Sequence, residues 1–409
     1  VKSWVEISEP RLTENYRVLT RAAGLQVSVL AVVKADAYGH GAELCAPILA
    51  NAGAAWLGVT DSDEGAAVRA ALTAAGVPTT RQPRVLVMSG SLADEVDAIV
   101  EHALTPVVWC VEQLESLANA ARQISAEHLP VHVEIETGMA RQGVASGAGL
   151  DAVLRWFTAQ KTLQLDGVMT HFASAEVAGS HQTQEQQHKF EQSMAQVSAS
   201  GLRPAWVHAG NSSTVDNLAA VDGKAANPLA WLTHIAANAG AQAMVRSGLG
   251  LYGYCLPVER ADEPPETETS ASQVRSLLQT VMTWKSRVIG VREVQPGTTV
   301  GYNGTFVADR PMRLALLPIG YADGLRRELS STNRREGGWA MVHGQCAPII
   351  GRVSMNLTVV DVTAISGVAV GDEAVVLGDG ITADDHARIA ETIPYEVLCG
   401  VRATRRLSA

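Results

Sequence analysis

The stretch VLAVVKADAYGHG, residues 29–41, decides the fold. It opens with five apolar residues and stops at a lysine, after which come small residues and glycines. An apolar run without polar alternation reads as a strand buried on both faces, as in a parallel sheet. Seven further runs repeat the pattern: AWLGV (55–59), RVLVM (84–88), TPVVW (105–109), VHVEI (131–135), GVMTH (167–171), WVHAG (206–210) and AMVRS (243–247). Ala-rich segments with helical spacing lie between them, such as 62–73, 111–124 and 182–199. Eight strands alternating with helices predict an α/β fold, a parallel (β/α)8 barrel of TIM type.

The pattern changes after residue 255. Residues 256–274 (PVERADEPPETETSASQVR) are rich in Pro, Glu and Ser, with no apolar period, and read as a solvated linker or excursion. Residues 221–242 read as an insertion before the eighth strand, without a role legible in the sequence. From about 275 the chain carries short strands and Gly turns (LLQTVMTWKSRVIGV, MRLALLPIGY, APIIGRVSMNLTVVDV, DEAVVLG), which predict a mostly-β C-terminal domain. SWVEI (3–7) suits a strand of either domain. The expected division is a barrel over 8–255 and a β domain over 275–409, with 1–7 added to it.

Composition narrows the function. The chain has 409 residues, 47% hydrophobic and 18% charged, enough to bury a large core. Its 32 Lys+Arg against 42 Asp+Glu leave a net charge of −10, which argues against nucleic acid as a partner. Five scattered cysteines form no CxxC pair, so neither a disulfide framework nor a thiolate metal site is expected, and no metal is assigned. No apolar run approaches the length of a membrane span. No signal peptide opens the sequence, so cytoplasmic is the default expectation, with the periplasm the alternative if a leader was removed.

In such a barrel the active site lies at the C-terminal ends of the strands. The polar residues that follow the apolar runs are therefore the candidates: Lys34 and Tyr38, Arg141, His171, His208 with Asn211 and Ser212, and Arg246 with Gly248. Lys34 is the most pointed. A lone lysine after a strand is usually a solvated surface residue. A desolvated lysine near other cations has a lowered pKa and serves as a Schiff-base nucleophile. GLGLYG (248–253) satisfies G-x-G-x-x-G, but CLPVERADEPPE after it opens no helix, so a dinucleotide site is rejected in favour of a phosphate cup.

AVVKADAYGHG (31–41) resembles the lysine signature of the alanine racemase family. The resemblance continues in the family's order through ETGMARQG (136–143), THFASAE (170–176), HAGNSS (208–213), VRSGLGLYG (245–253), GYNGTF (301–306), PIGYADGLRR (318–327), GRVSMN (351–356) and PYEV (394–397). It implies pyridoxal 5′-phosphate as cofactor, joined to Lys34, with His171 packed against the pyridine ring and Arg246 donating to its nitrogen. A guanidinium stays protonated, so it would leave that nitrogen neutral and restrain transamination side reactions. The same resemblance assigns phosphate contacts to Tyr38, Ser212, Gly248, Leu249 and Tyr395, with Asn211 beside them. Arg141 would contact the cofactor phenolate and the substrate carboxylate, and Met355 the carboxylate through its N–H. Glu176, Tyr321 and Arg327 would line the corridor by which substrate arrives. Moving an α-proton between opposite faces takes two bases. Lys34 would serve the D face and Tyr302 the L face, Tyr302 reaching over from a second subunit, so that the shared site requires a homodimer.

Three positions depart from the family pattern. Glu134 stands where many members carry a carbamylated lysine, and an ion pair between Glu134 and Arg141 is expected in its place. Asn356 replaces the Asp usual after Met355, and Glu176 the Asp usual in the corridor. Discrimination of one methylene is worth only about 1–3 kcal/mol, so few residues shift specificity. The reading is a pyridoxal-phosphate racemase of alanine that supplies D-alanine for peptidoglycan. The alternatives are a broad-specificity amino-acid racemase, a decarboxylase sharing the architecture, and a carrier of the cofactor.

Overall fold

The computed structural model describes residues 2–124, 128–217, 228–261, 272–403 and 405–409. It divides into two compact units, one of residues 12–37 and 42–279, the other of residues 1–11, 38–41 and 280–409. Strand β1 (Ser3–Ile7) belongs to the second unit, pairing antiparallel with β10 (Met282–Arg287) and parallel with β17 (Arg406–Ser408).

The first unit is the eight-stranded parallel barrel. Its strands are β2 (Val27–Val32), β3 (Trp56–Val59), β4 (Arg84–Val87), β5 (Thr105–Val108), β6 (Leu129–Glu136), β7 (Leu163–Met169), β8 (Trp206–His208) and β9 (Gln242–Ser247). Each pairs in parallel with the next, and β9 pairs back onto β2 to close the ring. All eight apolar runs are strands because each buries both faces. Leu30, Leu57, Val85, Val107 and Val245 are fully buried. The outer helices include Ala42–Asn51, Ser62–Ala74, Val111–Gln123 and His181–Ala199. Asp61 caps the second of them, its carboxylate accepting from Glu64 N–H at 2.9 Å.

Two sequence expectations change here. Of the supposed insertion 221–242, residues 228–238 are an ordinary barrel helix, Pro228–Asn238, leading into β9, because its apolar residues Leu229, Leu232 and Ala236 are buried. Residues 218–227 lie outside the described residues. Of the supposed linker 256–274, Glu259–Arg260 pairs in parallel with Val177–Ala178. At its far end the buried Asp216 carboxylate accepts from Ser272 Oγ and from the N–H groups of Val274 and Arg275, at 2.7–3.0 Å. Residues 262–271 are likewise outside the described set.

The second unit is mostly β. One sheet runs in the order β14 (Gln345–Pro348), β13 (Trp339–Val342), β16 (Glu373–Leu377), β10, β1 and β17. A second joins β11 (Gly290–Val294), β12 (Met312–Leu317) and β15 (Thr358–Asp361). Val300, Ala308, Met312, Leu314 and Ile350 form a core cluster in this unit. Two short helices, Ala383–Ala390 and Pro394–Cys399, complete it. Among the described residues no helix is long and apolar enough to cross a membrane.

Candidate active site

Lys34 leaves the barrel immediately after β2. The backbone then winds left-handed: Ala35, Asp36, Ala37 and Tyr38 have φ of 52–55°. Residues with a Cβ resist this conformation by about 1–2 kcal/mol each. The turn is held by its hydrogen bonds. Ala35 N–H donates to Glu64 Oε1 at 2.7 Å, Ala37 N–H to Val33 O at 2.8 Å, and Ala42 N–H to Asp36 Oδ1 at 2.8 Å. The other oxygen of Glu64 accepts from Thr60 N–H at 2.7 Å, so one carboxylate ties the ends of β2 and β3 together.

His171 follows β7 and is half-buried. Burial, and then the nearby charges of Arg246, Arg141 and Lys34, push its pKa down to about 3. Three of the predicted residues thus bring positive charge to a fourth. Arg246, on β9, is buried and donates through Nη1 to His208 Nδ1 (3.2 Å) and through Nη2 to Thr170 O (2.8 Å) and His171 Nδ1 (3.2 Å). Burial lowers its pKa to about 10, with Glu134 opposing and Arg141 adding to the shift. It therefore stays a cation at neutral pH and can only donate.

The expected ion pair between Glu134 and Arg141 is not formed. Arg141 is exposed, and the buried Glu134 carboxylate instead accepts from Gln142 Nε2 at 2.5 Å. The amide of the very next residue reaches the carboxylate and donates to Met88 O as well (2.9 Å), leaving Arg141 to act on Glu134 only through space. Burial raises the Glu134 pKa. The sequence reading also missed Gln186. Buried on the helix His181–Ala199, it donates to His171 O (2.7 Å) and Thr137 Oγ1 (3.2 Å) and accepts from Ala173 N–H (2.9 Å). It ties the loops of His171 and Arg141 together, and a glutamine amid helical polar residues gives no signal of that in sequence.

Asn211 caps the short helix Ser212–Asp216, its side chain accepting from Thr214 N–H at 3.2 Å. Ser212 Oγ accepts from Gly248 N–H (3.1 Å) and Gly250 N–H (3.0 Å) and lies 2.9 Å from Ser247 Oγ. A Cβ on Gly250 would sit 3.2 Å from Ser212 Oγ, so the glycine permits this closeness. Leu249–Tyr252 makes one 3-10 turn that ends at Gly253 with φ 99° and opens no α-helix. The predicted cup residues Ser212 and Gly248 thus meet, with Gly250 and Ser247, in one knot of hydroxyls and backbone N–H groups, and Leu249 lies between the two glycines. Glu176 lies half-buried in a barrel loop, its carbonyl accepting from Glu259 N–H at 3.0 Å.

The remaining candidates belong to the β unit. Tyr38 and Tyr395 place their ring centroids 5.9 Å apart, and burial, then Tyr395 and Cys399, raise the Tyr38 phenol pKa. Gly39 lets this segment approach the helix Pro394–Cys399, since a Cβ there would fall 2.3 Å from Leu398 O. Tyr302, Tyr321 and Arg327 line one surface cavity of about 390 Å³ with Val353 and Ser354. Tyr321 N–H donates to Ser354 O (3.0 Å) and Ala322 N–H to Met355 O (2.9 Å), which fixes Met355 beside that cavity. Asn356 Nδ2 donates to Asp323 Oδ2 at 3.3 Å. Tyr302 is 66% exposed and Met355 57%.

A closed (β/α)8 barrel with a lysine and two arginines around His171 at its mouth, followed by a β domain, defines a barrel protein with a cationic centre. Residues 7–256 match the model of the alanine racemase N-terminal domain, and residues 281–408 that of the alanine racemase C-terminal domain. The chain belongs to the alanine racemase family of isomerases. It is 34% identical to an alanine racemase of Syntrophobacter fumaroxidans over 407 residues, 98% of this chain and 96% of that one. The structure of alanine racemase from D-cycloserine-producing Streptomyces lavendulae superposes with a TM-score of 0.81 at 29% identity, covering 100% of this chain and 97% of that one. The Bartonella henselae alanine racemase, described with covalently bound pyridoxal phosphate, shares the fold at 23% identity and a TM-score of 0.77, each chain covered in full.

Proposed function

We propose that this protein interconverts L- and D-alanine with pyridoxal 5′-phosphate, and so supplies D-alanine for peptidoglycan. The observation that carries the proposal is the convergence of Lys34, Arg141 and Arg246 on His171 at the barrel mouth. The donor set fits the cofactor. Lys34 offers an amine for an aldehyde, the Ser212–Gly248–Leu249 knot offers hydroxyls and N–H groups for a phosphate, and Arg246 is an obligate donor for a pyridine nitrogen. Asn211 shapes that knot, and Tyr38 and Tyr395 add phenol hydroxyls to the phosphate.

The cofactor, when bound, supplies the aldehyde that captures the substrate amine and the conjugated ring that draws electron density from Cα. The protein does the rest. Arg141 and the Met355 N–H hold the substrate carboxylate. Lys34 moves the α-proton on one face and Tyr302 on the other. His171 would pack against the ring. Arg246 cannot take a proton, so it would hold the ring nitrogen neutral and curb full electron withdrawal, which suits returning a proton to Cα over losing the amine. The protein acts as a homodimer in which Tyr302 serves the other subunit's barrel. The exposure of Tyr302, Tyr321 and Met355 on one side of the β unit supports this, since clustered exposed apolar residues mark a covered face. Glu176, Tyr321 and Arg327 line the approach.

Chiral chromatography of the purified protein, supplied with pyridoxal phosphate and L-alanine, L-serine, L-lysine or L-arginine, tests this reading. Racemisation of alanine alone confirms it. Comparable turnover of the basic amino acids makes Asn356 and Glu176 determinants of broad specificity. Carbon dioxide release without racemisation moves the assignment to a decarboxylase, and cofactor binding without any turnover to a carrier.

A further inference from the structure

The interior of a parallel barrel is ordinarily filled by branched apolar side chains. Here β6, β7 and β8 place His132, Asp166 and His208 inside it, all buried. His208 Nδ1 faces Arg246 Nη1 at 3.2 Å, His208 Nε2 faces His132 Nδ1 at 2.8 Å, and His132 Nε2 faces Asp166 Oδ2 at 3.1 Å. Asp166 Oδ2 also meets Arg84 Nη2 at 2.9 Å, at the start of β4 and hence at the opposite end of the barrel from Lys34. The chain shows signs of being built. The β6–β7 pairing shifts register between Val131 and His132, and a Cβ on Gly167 would fall 2.5 Å from His132 Nδ1. A glycine inside a strand marks such a close approach. Trp56 flanks it, 5.2 Å from the His132 ring and under the Arg84 guanidinium at 4.0 Å.

Elementary donor counting fixes every proton in this chain. A guanidinium has no acceptor, so His208 Nδ1 is bare. Burial first, then His132 and Arg246, depress the His208 pKa, so its ring is neutral and its one proton is on Nε2. That proton goes to His132 Nδ1. Burial outweighs Asp166 in lowering the His132 pKa, so that ring too is neutral, with its proton on Nε2 toward the Asp166 carboxylate. All hydrogen bonds then point the same way, from Arg246 to Asp166.

We propose that Asp166 and His132 are positioning residues that act through His208 on Arg246, delivering the pull of a carboxylate to that guanidinium without placing an acid beside the cofactor. A carboxylate in direct contact would neutralise Arg246 and, near the ring nitrogen, would stabilise its protonation. Two intervening neutral imidazoles hold the guanidinium in one orientation while the ion pair proper, Asp166 with Arg84, stays at the far end. Three of the five N–H donors of Arg246 are engaged by His208, Thr170 and His171, which leaves others for the ring nitrogen. This inference rests on the proposed function for its kinetic consequence and on hydrogen-bond geometry and burial for its proton arrangement.

The two parts are tested separately. In the full-length protein labelled with ¹⁵N-histidine, with and without pyridoxal phosphate, NMR reads the tautomers. Both His132 and His208 are expected as Nε2–H forms, and an Nδ1–H on His208 overturns the proposal whatever the protein catalyses. The His132 Nε2 proton is expected to move upfield in Asp166→Asn, where the acceptor is neutral, and downfield in Arg84→Gln, where the carboxylate loses its counter-ion. The same opposite pair is expected, smaller, at the His208 Nε2 proton one bond further on; a merely structural role predicts no such transmission, and its absence overturns the proposal. In the racemisation assay, Asp166→Asn is expected to lower kcat about 10-fold with KM for alanine changed less than about twofold, as for loss of one charge-assisted hydrogen bond acting in the transition state. Unchanged kcat with shifted histidine signals shows that the chain ends before Arg246 and overturns the kinetic claim. An inactive wild type with the expected tautomers discards the function reading and leaves the proton arrangement standing.

Discussion

The barrel mouth and the outer side of the β unit carry the two halves of the proposed site in opposite ways. At the mouth Arg246, Ser212 and Gln186 are buried and tied to their neighbours, while Arg141 is exposed. Arg246 has three hydrogen bonds, Ser212 Oγ gathers two backbone N–H groups, and Gln186 pins two loops. On the β unit, Tyr302, Tyr321 and Met355 stand exposed on a scaffold fixed by backbone contacts and by Asp323, whose carboxylate accepts from Gly320 N–H and Asn356 Nδ2. Buried polar networks are costly when partly satisfied, so the barrel half is pre-arranged within one chain. The exposed half gains its low-dielectric surroundings from whatever covers it.

The largest effect that tests this contrast is at Lys34. On the proposed function, Lys34→Ala removes both the anchor of the cofactor and one proton-transfer group. Racemisation in both directions is expected to fall by at least about 10⁴-fold, and pyridoxal phosphate to be lost on gel filtration. Retained cofactor absorbance after filtration would place the anchor elsewhere. Tyr302→Phe comes next. A fall of about 10³-fold is expected in kcat, within the usual range for a proton-transfer residue. Because the side chain is 66% exposed in the single chain, the unfolding free energy of that chain read by urea should move little, by less than about 0.5 kcal/mol. A mixture of Lys34→Ala and Tyr302→Phe chains should recover part of the activity, since a mixed dimer assembles one intact site. Failure of that rescue would confine each site to one chain.

Much of this was legible in the sequence for a physical reason. Each barrel strand is an apolar run that ends in a polar residue, and burial on both faces enforces that pattern. Lys34, His171 and Arg246 were therefore visible as interruptions at strand ends. The left-handed turn over Ala35–Tyr38 was not visible, because alanine disfavours positive φ and one compensating group, Glu64, comes from the helix that follows β3. His132 was written inside an apolar run and Asp166 just ahead of one, where a polar residue reads as noise until the fold brings His132 Nε2 to 3.1 Å from Asp166 Oδ2. The pairing of Glu134 failed for the opposite reason. Charge complementarity suggested Arg141, but the adjacent Gln142 is closer and brings its own hydrogen bond.

A pH comparison of the two units comes third in size. His386, buried in the β unit, donates its Nε2–H to Val376 O at 2.9 Å, and burial lowers its pKa to about 4 against an ordinary 6.5. A folded pKa below the unfolded one means that the unfolded chain binds the extra proton first, so stability is lost as pH falls below 6.5 and levels off near the folded value. Between pH 7.5 and 5.0 this histidine alone costs about 2 kcal/mol. The barrel's His132 and His208 shift in the same direction, whereas Asp166, held low by His132 and Arg84 against its burial, adds its effect only at more acid pH. Urea unfolding at the two pH values should show the loss, and His386→Gln should shrink it by about 2 kcal/mol. An unchanged slope in that variant would show that the ring is already charged in the fold.

The smallest expected effect belongs to Glu134→Gln, and it is the most informative about the barrel half. The amide keeps the volume and an acceptor for Gln142, so packing is preserved and only the negative charge goes. That charge is felt by Arg246 and Arg141, the two cations it faces across the mouth. Without it they repel uncompensated, and kcat/KM for alanine is expected to fall about three- to tenfold, largely through KM because Arg141 would hold the carboxylate less well. Since burial raises the Glu134 pKa, the wild-type acid limb should begin above the ordinary carboxylate range, where protonation removes the same charge. The Gln variant should lose that limb. If rate, KM and pH profile are all unchanged, Glu134 serves packing alone, and the positive centre of the mouth needs no internal counter-charge.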